Sequence, residues 1–348
     1  MKKHVIKQRG TALKERKLTS KTTESFTIEY TLQEALDIFL SAKVAEGVRQ
    51  RTLGEYVRHI RYLTEYLSAY HPSFNYVSDL SPSLIREYIT FSKNKKAYAG
   101  DEQREKTTTL SVNTINIRLR TLRTMCKFWF EEGITPDNPM KNIKNLKLDA
   151  EEEVKGFSDD EVTLILNYFN ERNFGEWRDK LLVLLLLDTG MRINEAISTK
   201  ISNMDFKESS IFIPPEINKN RKGRHIPVSR EVMRELRKLH DECIGYFGDH
   251  EALFMNAYGE PLTGDTIRRR LYKVGTALGI PKVHPHRFRH TFIRNYILNG
   301  GDLFTLQKIV DHSNITTTRK YVQLDDVHIK NQHNKFSPVR KYMKRSNR

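Results

Sequence analysis

The sequence is short of cysteine, of long apolar runs and of low-complexity segments, and each shortage excludes a class of protein. Its 348 residues include two cysteines, Cys126 and Cys243, which lie far apart and do not have the spacing of metal ligands. We expect both to be reduced thiols, as in a cytoplasmic protein. The longest apolar run, residues 181–187, is far shorter than the roughly 20 residues that cross a membrane. The N-terminus is basic and has no apolar signal core, so the expected location is the cytoplasm, with no membrane contact.

The net charge of +16 is concentrated at the two ends of the chain. Residues 1–22 carry eight Lys and Arg against the single acid Glu15, and residues 335–348 carry six against none, which leaves +3 for the remainder. Basic ends suit contacts with DNA phosphates that do not read sequence. They fit two solvated, unstructured ends equally well, so charge alone permits a nucleic-acid partner without establishing one.

Helix-start signals predict a helical first half. Thr31 with Glu34, and Thr52 with Glu55, have the spacing of a capping box, so each pair is predicted to open a helix, the first of which runs to about Glu46. The second helix has an apolar stripe at three-to-four spacing and ends before residue 72. These patterns favour a helical bundle.

Two further helices are predicted in the same half. One follows Ser81, and a long one starts at about Ser111, with the polar stretch 94–109 between them as a surface loop. Another capping box, Ser158 with Glu161, is predicted to open the second domain.

The second domain is predicted to be mainly helical, with two short strands at 211–213 and 225–228 around a basic loop. The predicted organisation is a flexible basic arm at 1–24, a helical domain at 28–143, a linker at 144–156, a second domain at 157–335 and a basic tail at 336–348.

Two clusters in the second domain present basic side chains at turns. Arg192 follows a Thr-Gly turn and precedes Glu195 by three residues, which on its own fits a common stabilising pair on a helix surface. The loop 218–224 contains Lys219, Arg221, Lys222 and Arg224, and a tip this basic suits a DNA groove or phosphate, although a solvated turn fits as well.

Two later clusters are rich in histidine. His286, Arg289 and His290 lie at a predicted helix start, where the helix dipole favours an anion. A zinc site is the competing interpretation, but the His-Glu-x-x-His motif is absent and the neighbouring Arg residues would repel a cation, so no metal is expected. The last cluster places Tyr321 nine residues after His312, where a core aromatic residue is the ordinary alternative.

Together these clusters resemble the active site of the tyrosine recombinase (phage integrase) family, which consists of Arg, Lys, His-x-x-Arg, His or Trp, and Tyr. Every element is present, in order, within 130 residues. The resemblance is close over about 157–335 and covers 28–133 by architecture alone. It implies a mainly α fold with a small β-sheet, formed by an N-terminal helical core-binding (SAM-like) domain and a C-terminal mixed α/β catalytic domain.

The resemblance also implies a role for each matched residue. The implied catalytic residues are Arg192, Lys219, His286, Arg289, His312 and Tyr321. Glu195 and His290 are implied as supporting residues, and DNA contacts are expected from Arg221, Lys222, Arg224 and Arg287. Tyr321 is the implied nucleophile, which forms a 3′-phosphotyrosyl link and releases a 5′ hydroxyl. No cofactor is implied.

Two positions depart from the family pattern. Asp311 stands where the family usually has Gly, and Asp tolerates the left-handed turn that such a Gly adopts. Lys222 lies close to Lys219, so the identity of the acting lysine stays open between these two.

The resemblance leaves several functions to weigh. The length of the chain, with the loop 94–109 and the basic arm 1–24, favours an integrase or transposase of a mobile element. A chromosome-dimer (Xer-like) resolvase and a catalytically inactive DNA-binding regulator are the alternatives. A type IB topoisomerase or telomere resolvase would use similar residues but usually carries added domains, and a metal-dependent nuclease would need clustered carboxylates. The expected partners are double-stranded DNA, three further copies in a tetramer, and accessory DNA-bending or excision factors. The segment 325–334 is the candidate for exchange between subunits.

Overall fold

The structure is a computed structural model that describes residues 29–96, 109–147, 156–315, 318, 330 and 333–342. The chain divides into two compact units, Met1–Glu151 and Glu152–Arg348. Within the described residues, no helix is both long enough and apolar enough to cross a membrane.

The first unit is a helical bundle. Its helices are α1 (Leu32–Ala45), α2 (Gln50–Tyr70), α3 (Pro82–Asn94) and α4 (Val112–Glu131), with a short 3-10 helix at Val77–Asp79. Each helix buries one apolar stripe in a common core, and the four longest elements contribute Phe39, Leu63, Ile85 and Leu119, all fully buried. The indole of Trp129 on α4 donates to the carbonyl of Ala35 on α1 at 2.8 Å, so its one polar atom is satisfied within the core.

Most predicted helix starts in this unit are confirmed. Thr31 caps α1 in a capping box with Glu34, Ser81 caps α3, and Ser111 caps α4. The prediction that Thr52 opens the second helix is wrong, because α2 begins at Gln50. The N–H of Thr52 already donates to the carbonyl of Arg49 at 2.8 Å, so it needs no side-chain cap.

The second unit combines helices with a small sheet. Its elements are α5 (Asp159–Tyr168), α6 (Phe174–Thr189), α7 (Ile193–Ile197), β1 (Met204–Asp205), β2 (Ser210–Ile213), β3 (Arg224–Pro227), α8 (Arg230–Phe247), α9 (Gly264–Leu278), α10 (Pro285–Leu298), α11 (Leu303–Val310) and α12 (Val339–Tyr342). A 3-10 turn at Ile201–Asn203 precedes β1. The mainly α fold with a small sheet is therefore confirmed, as is the capping box of Ser158 with Glu161 at the start of α5.

The sheet is antiparallel in the order β1-β2-β3. The sequence predicted β2 and β3 but missed β1, whose two residues are too few for an alternating pattern. Ile211 pairs with Ile226 on the buried face, and the register places Ile213 opposite Arg224. Because side chains two apart on a strand share a face, Arg224 is directed to the same side as buried Ile226.

Helix α6 forms the centre of the second unit. Its stretch 181–187 is apolar on all sides, as expected for a helix surrounded by protein, and the helix packs most extensively against α10. It ends at Gly190, whose φ of 61° is left-handed. A Cβ at Gly190 would lie 2.3 Å from the ring of Phe292 on α10, so only glycine allows the two helices to approach here.

Candidate active site

Arg192 lies two residues after the Gly190 turn and precedes the first residue of α7. Its backbone N–H and its Nη1 donate to the Glu195 carboxylate, each at 3.0 Å. Its Nη2 donates to the carbonyl of Asp311 at 2.9 Å, and Nη1 also lies 3.3 Å from the Asp311 carboxylate. The guanidinium is therefore held between two parts of the chain that are 119 residues apart.

Glu195 is 1% exposed and pairs with two arginines. Its second partner is Arg224, whose Nη2 donates to the carboxylate at 2.8 Å. Burial alone would raise the pKa of Glu195, but the hydrogen bonds and charges of Arg224 and Arg192 outweigh it and hold this pKa below its ordinary value. The carboxylate is therefore ionised at neutral pH and compensates part of the two positive charges.

Arg224 reaches this cluster because of its place at the start of β3. Besides Glu195, its Nη1 lies 3.5 Å from the Asp311 carboxylate, while its Nε is buried without a hydrogen-bond partner among the described residues. A buried N–H without a partner costs free energy unless something else accepts it. The sequence assigned Arg224 to DNA contact. In the structure its guanidinium lies on Glu195 and Asp311, and that assignment stays a prediction.

Arg289 extends from α10 toward the same turn. Its Nη1 donates to the carbonyl of Gly190 at 2.6 Å, and its Nη2 donates to the carbonyl of Val310 at 2.5 Å. The residue is 4% exposed. Gly190 and Val310 are both at helix ends, where carbonyl groups lack intrahelical partners, so Arg289 ties the end of α6 to the end of α11.

His286 and His290 lie on the same side of α10 as Arg289, since residues three and four apart on a helix are neighbours. Their ring centroids are 6.4 Å apart. Desolvation first, and then the charge of Arg289, lower the pKa of His286. Desolvation and the neighbouring histidines and Arg289 lower the pKa of His290 to about 4. Both rings are therefore neutral at neutral pH.

His312 follows the left-handed residue that ends α11. That residue, Asp311, has a φ of 54° and a ψ of 52°, which confirms the left-handed turn expected at this position. The Nδ1 of His312 lies 2.9 Å from the hydroxyl oxygen of Thr318. Desolvation, and then the charges of Arg289 and Arg192, lower the pKa of His312 to about 4, so its ring is neutral at neutral pH.

The loop between β2 and β3 places Lys219 and Lys222 at an exposed tip. Between the two lysines lie Asn220 and Arg221. The side chain of Asn220 donates to the Asp311 carbonyl at 3.2 Å. The tip therefore touches the turn that also holds Arg192. The DNA contacts predicted for Arg221 and Lys222 remain predictions.

Two further predicted residues complete the set. Tyr321 is outside the described residues. Arg287 is on α10, but its guanidinium stacks 4.0 Å from the centroid of Phe157 and pairs with Glu161 at 2.8 Å. These contacts join α10 to the start of α5, and the DNA contact predicted for Arg287 is not tested by them.

The structure thus brings Arg192, Arg289 and His312 together at the end of α11, with the Glu195 carboxylate bonded to Arg192. Sequence reasoning missed Asn220, Thr318 and the carboxylate of Asp311. The loop 218–224 did contain a signal for Asn220, since two asparagines in a turn are typical of side chains that bond to backbone. Among the residues that the structure describes, no group of three or more His, Cys, Asp or Glu is placed to hold a metal ion.

Comparison with known proteins identifies the class to which this arrangement belongs. Residues 155–328 match the phage integrase family, and residues 14–146 match the phage integrase SAM-like domain. The chain therefore belongs to the phage integrase family, and it is a tyrosine-type site-specific recombinase.

Relatives with known names support this class. The chain is 24% identical over 289 residues to the tyrosine recombinase XerC of Listeria welshimeri serovar 6b, which covers 79% of this chain and 96% of that protein. It is 28% identical over 225 residues to XerC of Staphylococcus epidermidis, covering 64% of this chain and 73% of that protein.

Solved structures show the same fold. The Tn1549 transposon integrase in complex with a circular intermediate DNA has a TM-score of 0.66 at 18% identity, covering 86% of this chain and 98% of that one. The XerH recombinase bound to a palindromic difH substrate has a TM-score of 0.63 at 20% identity, covering 83% of this chain and 81% of that one.

Proposed function

We propose that this recombinase cuts and rejoins double-stranded DNA through a covalent 3′-phosphotyrosyl link formed by Tyr321. The observation that carries the proposal is the convergence of Arg192, Arg289 and His312 at the end of α11. Backbone carbonyls hold both arginines, and Glu195 also holds Arg192. Two fixed guanidinium groups beside a neutral imidazole form a site for a phosphodiester that gains negative charge during the reaction.

The arginines supply charge stabilisation. In transesterification the phosphorus passes through a pentavalent state, in which the non-bridging oxygens carry more negative charge than in the substrate. Arginine carries a permanent positive charge, and the contacts of Arg192 and Arg289 to backbone carbonyls fix their orientation before DNA arrives. Pre-oriented donors stabilise such a transition state without reorganising during the reaction.

The histidines act as neutral groups. An isolated tyrosine hydroxyl has a pKa of about 10, so Tyr321 must pass its proton to a base as it attacks. His286 is the proposed acceptor, and its lowered pKa keeps its ring unprotonated and ready to accept. When the Thr318 hydroxyl donates to Nδ1 of His312, the neutral ring carries its proton on Nε2 and can donate it to a phosphate oxygen.

The bonds balance without an external energy source. The Tyr321 oxygen forms a bond to phosphorus, the bond from phosphorus to the 5′ oxygen breaks, and Lys219 donates a proton to that leaving oxygen. One phosphodiester replaces another, so attack by the 5′ hydroxyl of a second strand reverses the step and releases Tyr321. The reaction as proposed uses no ATP and no metal.

DNA as the partner is supported by the solved relatives. The Tn1549 integrase and XerH structures are both of complexes with DNA. The basic ends of this chain supply further charge for phosphate contacts. The proposed assembly is a tetramer that holds two duplexes, with accessory DNA-bending or excision factors, acting at the nucleoid in the cytoplasm.

The proposed biological role is integration and excision of a mobile element. The support is the length of the chain, because the stretch 94–109 and the basic residues 1–24 make it longer than a minimal chromosome-dimer resolvase. Resolution of chromosome dimers is the second candidate, favoured by the match to 96% of the length of a XerC protein. The two roles share one chemistry and differ in the DNA sites that are joined.

The test is trapping on a nicked duplex taken from the ends of the element that encodes the protein. A nick beside the cleaved bond lets the short 5′-hydroxyl fragment diffuse away, so the covalent complex accumulates. Wild type is expected to give an adduct that survives denaturing electrophoresis with EDTA present, and Tyr321→Phe is expected to give none.

Two results would contradict the proposal. The first is an adduct of equal yield with Tyr321→Phe, which would place the nucleophile elsewhere. The second is the absence of an adduct from wild type on DNA that both proteins bind, in which case the DNA-binding regulator would be the better description. A recombination assay separates the two biological roles. Joining of element ends to a target supports the mobile-element role, and joining of two chromosomal sites supports dimer resolution.

A further inference from the structure

The tip of the β2–β3 loop has an internal scaffold built on Asn218. This residue is fully buried, while Lys219, Arg221 and Lys222 around it are exposed. The Oδ1 of Asn218 accepts from the backbone N–H of Asn220 at 2.9 Å, and its Nδ2 donates to the Lys222 carbonyl at 2.5 Å. A buried asparagine bonded to backbone on both sides fixes the shape of the turn.

Asn220 connects this scaffold to the active site. Its side chain is half-buried, in contrast to those of its neighbours, and its Nδ2 donates to the Asp311 carbonyl at 3.2 Å across 91 residues of sequence. The same carbonyl accepts from Nη2 of Arg192 at 2.9 Å. One oxygen atom therefore links the loop tip to the guanidinium that is proposed to bind the phosphate.

The backbone at Asp311 makes this oxygen available. The left-handed conformation ends α11, so the Asp311 carbonyl does not continue the helical hydrogen-bond series and can accept from side chains. His312 is the next residue along the chain. A side chain that donates to the Asp311 carbonyl is therefore held in a fixed position relative to both Arg192 and His312.

We propose that Asn220 is a positioning residue, which docks the loop tip on Asp311 so that Lys219 reaches the leaving 5′ oxygen. The proposal rests on the proposed function and deepens it. Lysine carries its charge on a flexible four-carbon stem, so its reach is defined only as well as the backbone that carries it. Lys219 immediately precedes Asn220, so this contact ties the backbone directly beside the lysine to Asp311.

The proposal predicts which step fails without Asn220. Tyr321 attack and charge stabilisation by Arg192 remain, while protonation of the leaving oxygen is impaired. Because misplacing a catalytic group by about 1 Å can cost roughly 100-fold, we expect Asn220→Ala to slow cleavage by about 10- to 100-fold. Asn220→Asp, which keeps the size but cannot donate when ionised, is expected to be at least as slow.

A change of leaving group isolates that step. In a nicked trapping duplex with sulfur in place of the bridging 5′ oxygen, the bond from phosphorus to sulfur breaks and a thiolate leaves. A thiol has a pKa of about 8.5, whereas water and alcohols lie near 16, so the thiolate needs no proton donor. Asn220→Ala and Asn220→Asp are therefore expected to cleave this substrate within about threefold of wild type.

Matched variants separate the possible causes. Lys219→Ala should show the same rescue by sulfur as Asn220→Ala, whereas Arg192→Ala should stay slow on both substrates because its role is on the phosphate. Lys222→Ala should be slowed less than Lys219→Ala on the oxygen substrate. Rescue of Lys222→Ala in place of Lys219→Ala would show that the loop positions the other lysine, and would overturn the assignment to Lys219.

The inference is overturned if Asn220→Ala and Asn220→Asp cleave the oxygen substrate at the wild-type rate. It is also overturned if their defect is equally large on the sulfur substrate, because that result indicates a role in folding or phosphate binding. Failure of the proposed function looks different, since wild type itself would then form no adduct on either duplex.

Discussion

Replacement of Glu195 by glutamine tests whether the buried carboxylate holds Arg192 and Arg224 in place. Glu195 accepts from the backbone and Nη1 of Arg192 at 3.0 Å and from Nη2 of Arg224 at 2.8 Å. The glutamine keeps one acceptor oxygen but directs an amide donor at the guanidinium groups. Removal of one partner of a buried ion pair typically costs about 3–5 kcal/mol. Because Asp311 still lies beside both arginines, we expect the lower end, about 3 kcal/mol.

The assay is urea unfolding of the full chain, monitored by the fluorescence of a tryptophan in the second unit. The sequence has two tryptophans, Trp129 in the first unit and Trp177 in the second, so a Trp129→Phe background leaves a signal from the second unit. Glu235→Gln is the matched control, since Glu235 pairs with Lys238 at the surface and such pairs contribute below about 1 kcal/mol.

The effect has a predicted pH dependence. The pKa of Glu195 is lower in the folded protein than in the unfolded chain, because the arginines outweigh the effect of burial. The unfolded chain therefore takes up this proton first as the pH falls. The stabilisation is complete above the ordinary glutamate pKa of about 4.3 and is lost as the pH falls through the folded value. Equal losses for Glu195→Gln and Glu235→Gln, or a Glu195 effect that grows with falling pH, would refute the reasoning.

Two other predictions concern a glycine and a histidine. Gly190→Ala should destabilise the second unit by about 1–3 kcal/mol in the same urea assay, because its Cβ would meet Phe292 at 2.3 Å on a left-handed backbone. The control is Gly245→Ala, in open space on α8, which should stabilise the unit by about 0.5–1 kcal/mol. A loss for both or for neither would contradict the close approach. His312 should stay neutral at about pH 5.5, because its pKa is about 4 in the folded protein and about 6.5 in the unfolded chain. The unfolded chain therefore binds this proton first, and the fold loses stability as the pH falls from about 6.5 to about 4. Carbon-13 shifts of labelled histidine, assigned with His312→Asn, check this, and a ring protonated at about pH 5.5 would contradict it.

The sequence was informative where the chemistry is local. Capping boxes located the starts of α1 and α5, and the short runs on either side of a basic loop located β2 and β3, because each signal is complete within a few residues. The same logic failed at Thr52, where the capping pattern lies inside a helix that had already begun two residues earlier.

Long-range contacts at the site were not predictable in this way. The cluster around Arg192 depends on Asp311, which is 119 residues away, and on the carbonyl that a left-handed backbone exposes there. Sequence reasoning judged that Asp311 tolerates the turn but gave no reason to place its carboxylate beside Arg192 and Arg224. The contact of Asn220 likewise depends on how a loop meets a helix end.

The central claim is that Tyr321 is the residue joined to DNA. Trypsin cleaves after Lys320 and Lys330, so the peptide 321–330 contains Tyr321 as its single tyrosine. After digestion of a trapped adduct with nuclease and trypsin, mass spectrometry should find a nucleotide joined through its 3′-phosphate to this peptide, or to a form extended by missed cleavage at Lys320. Such a nucleotide on any peptide without Tyr321 would contradict the account.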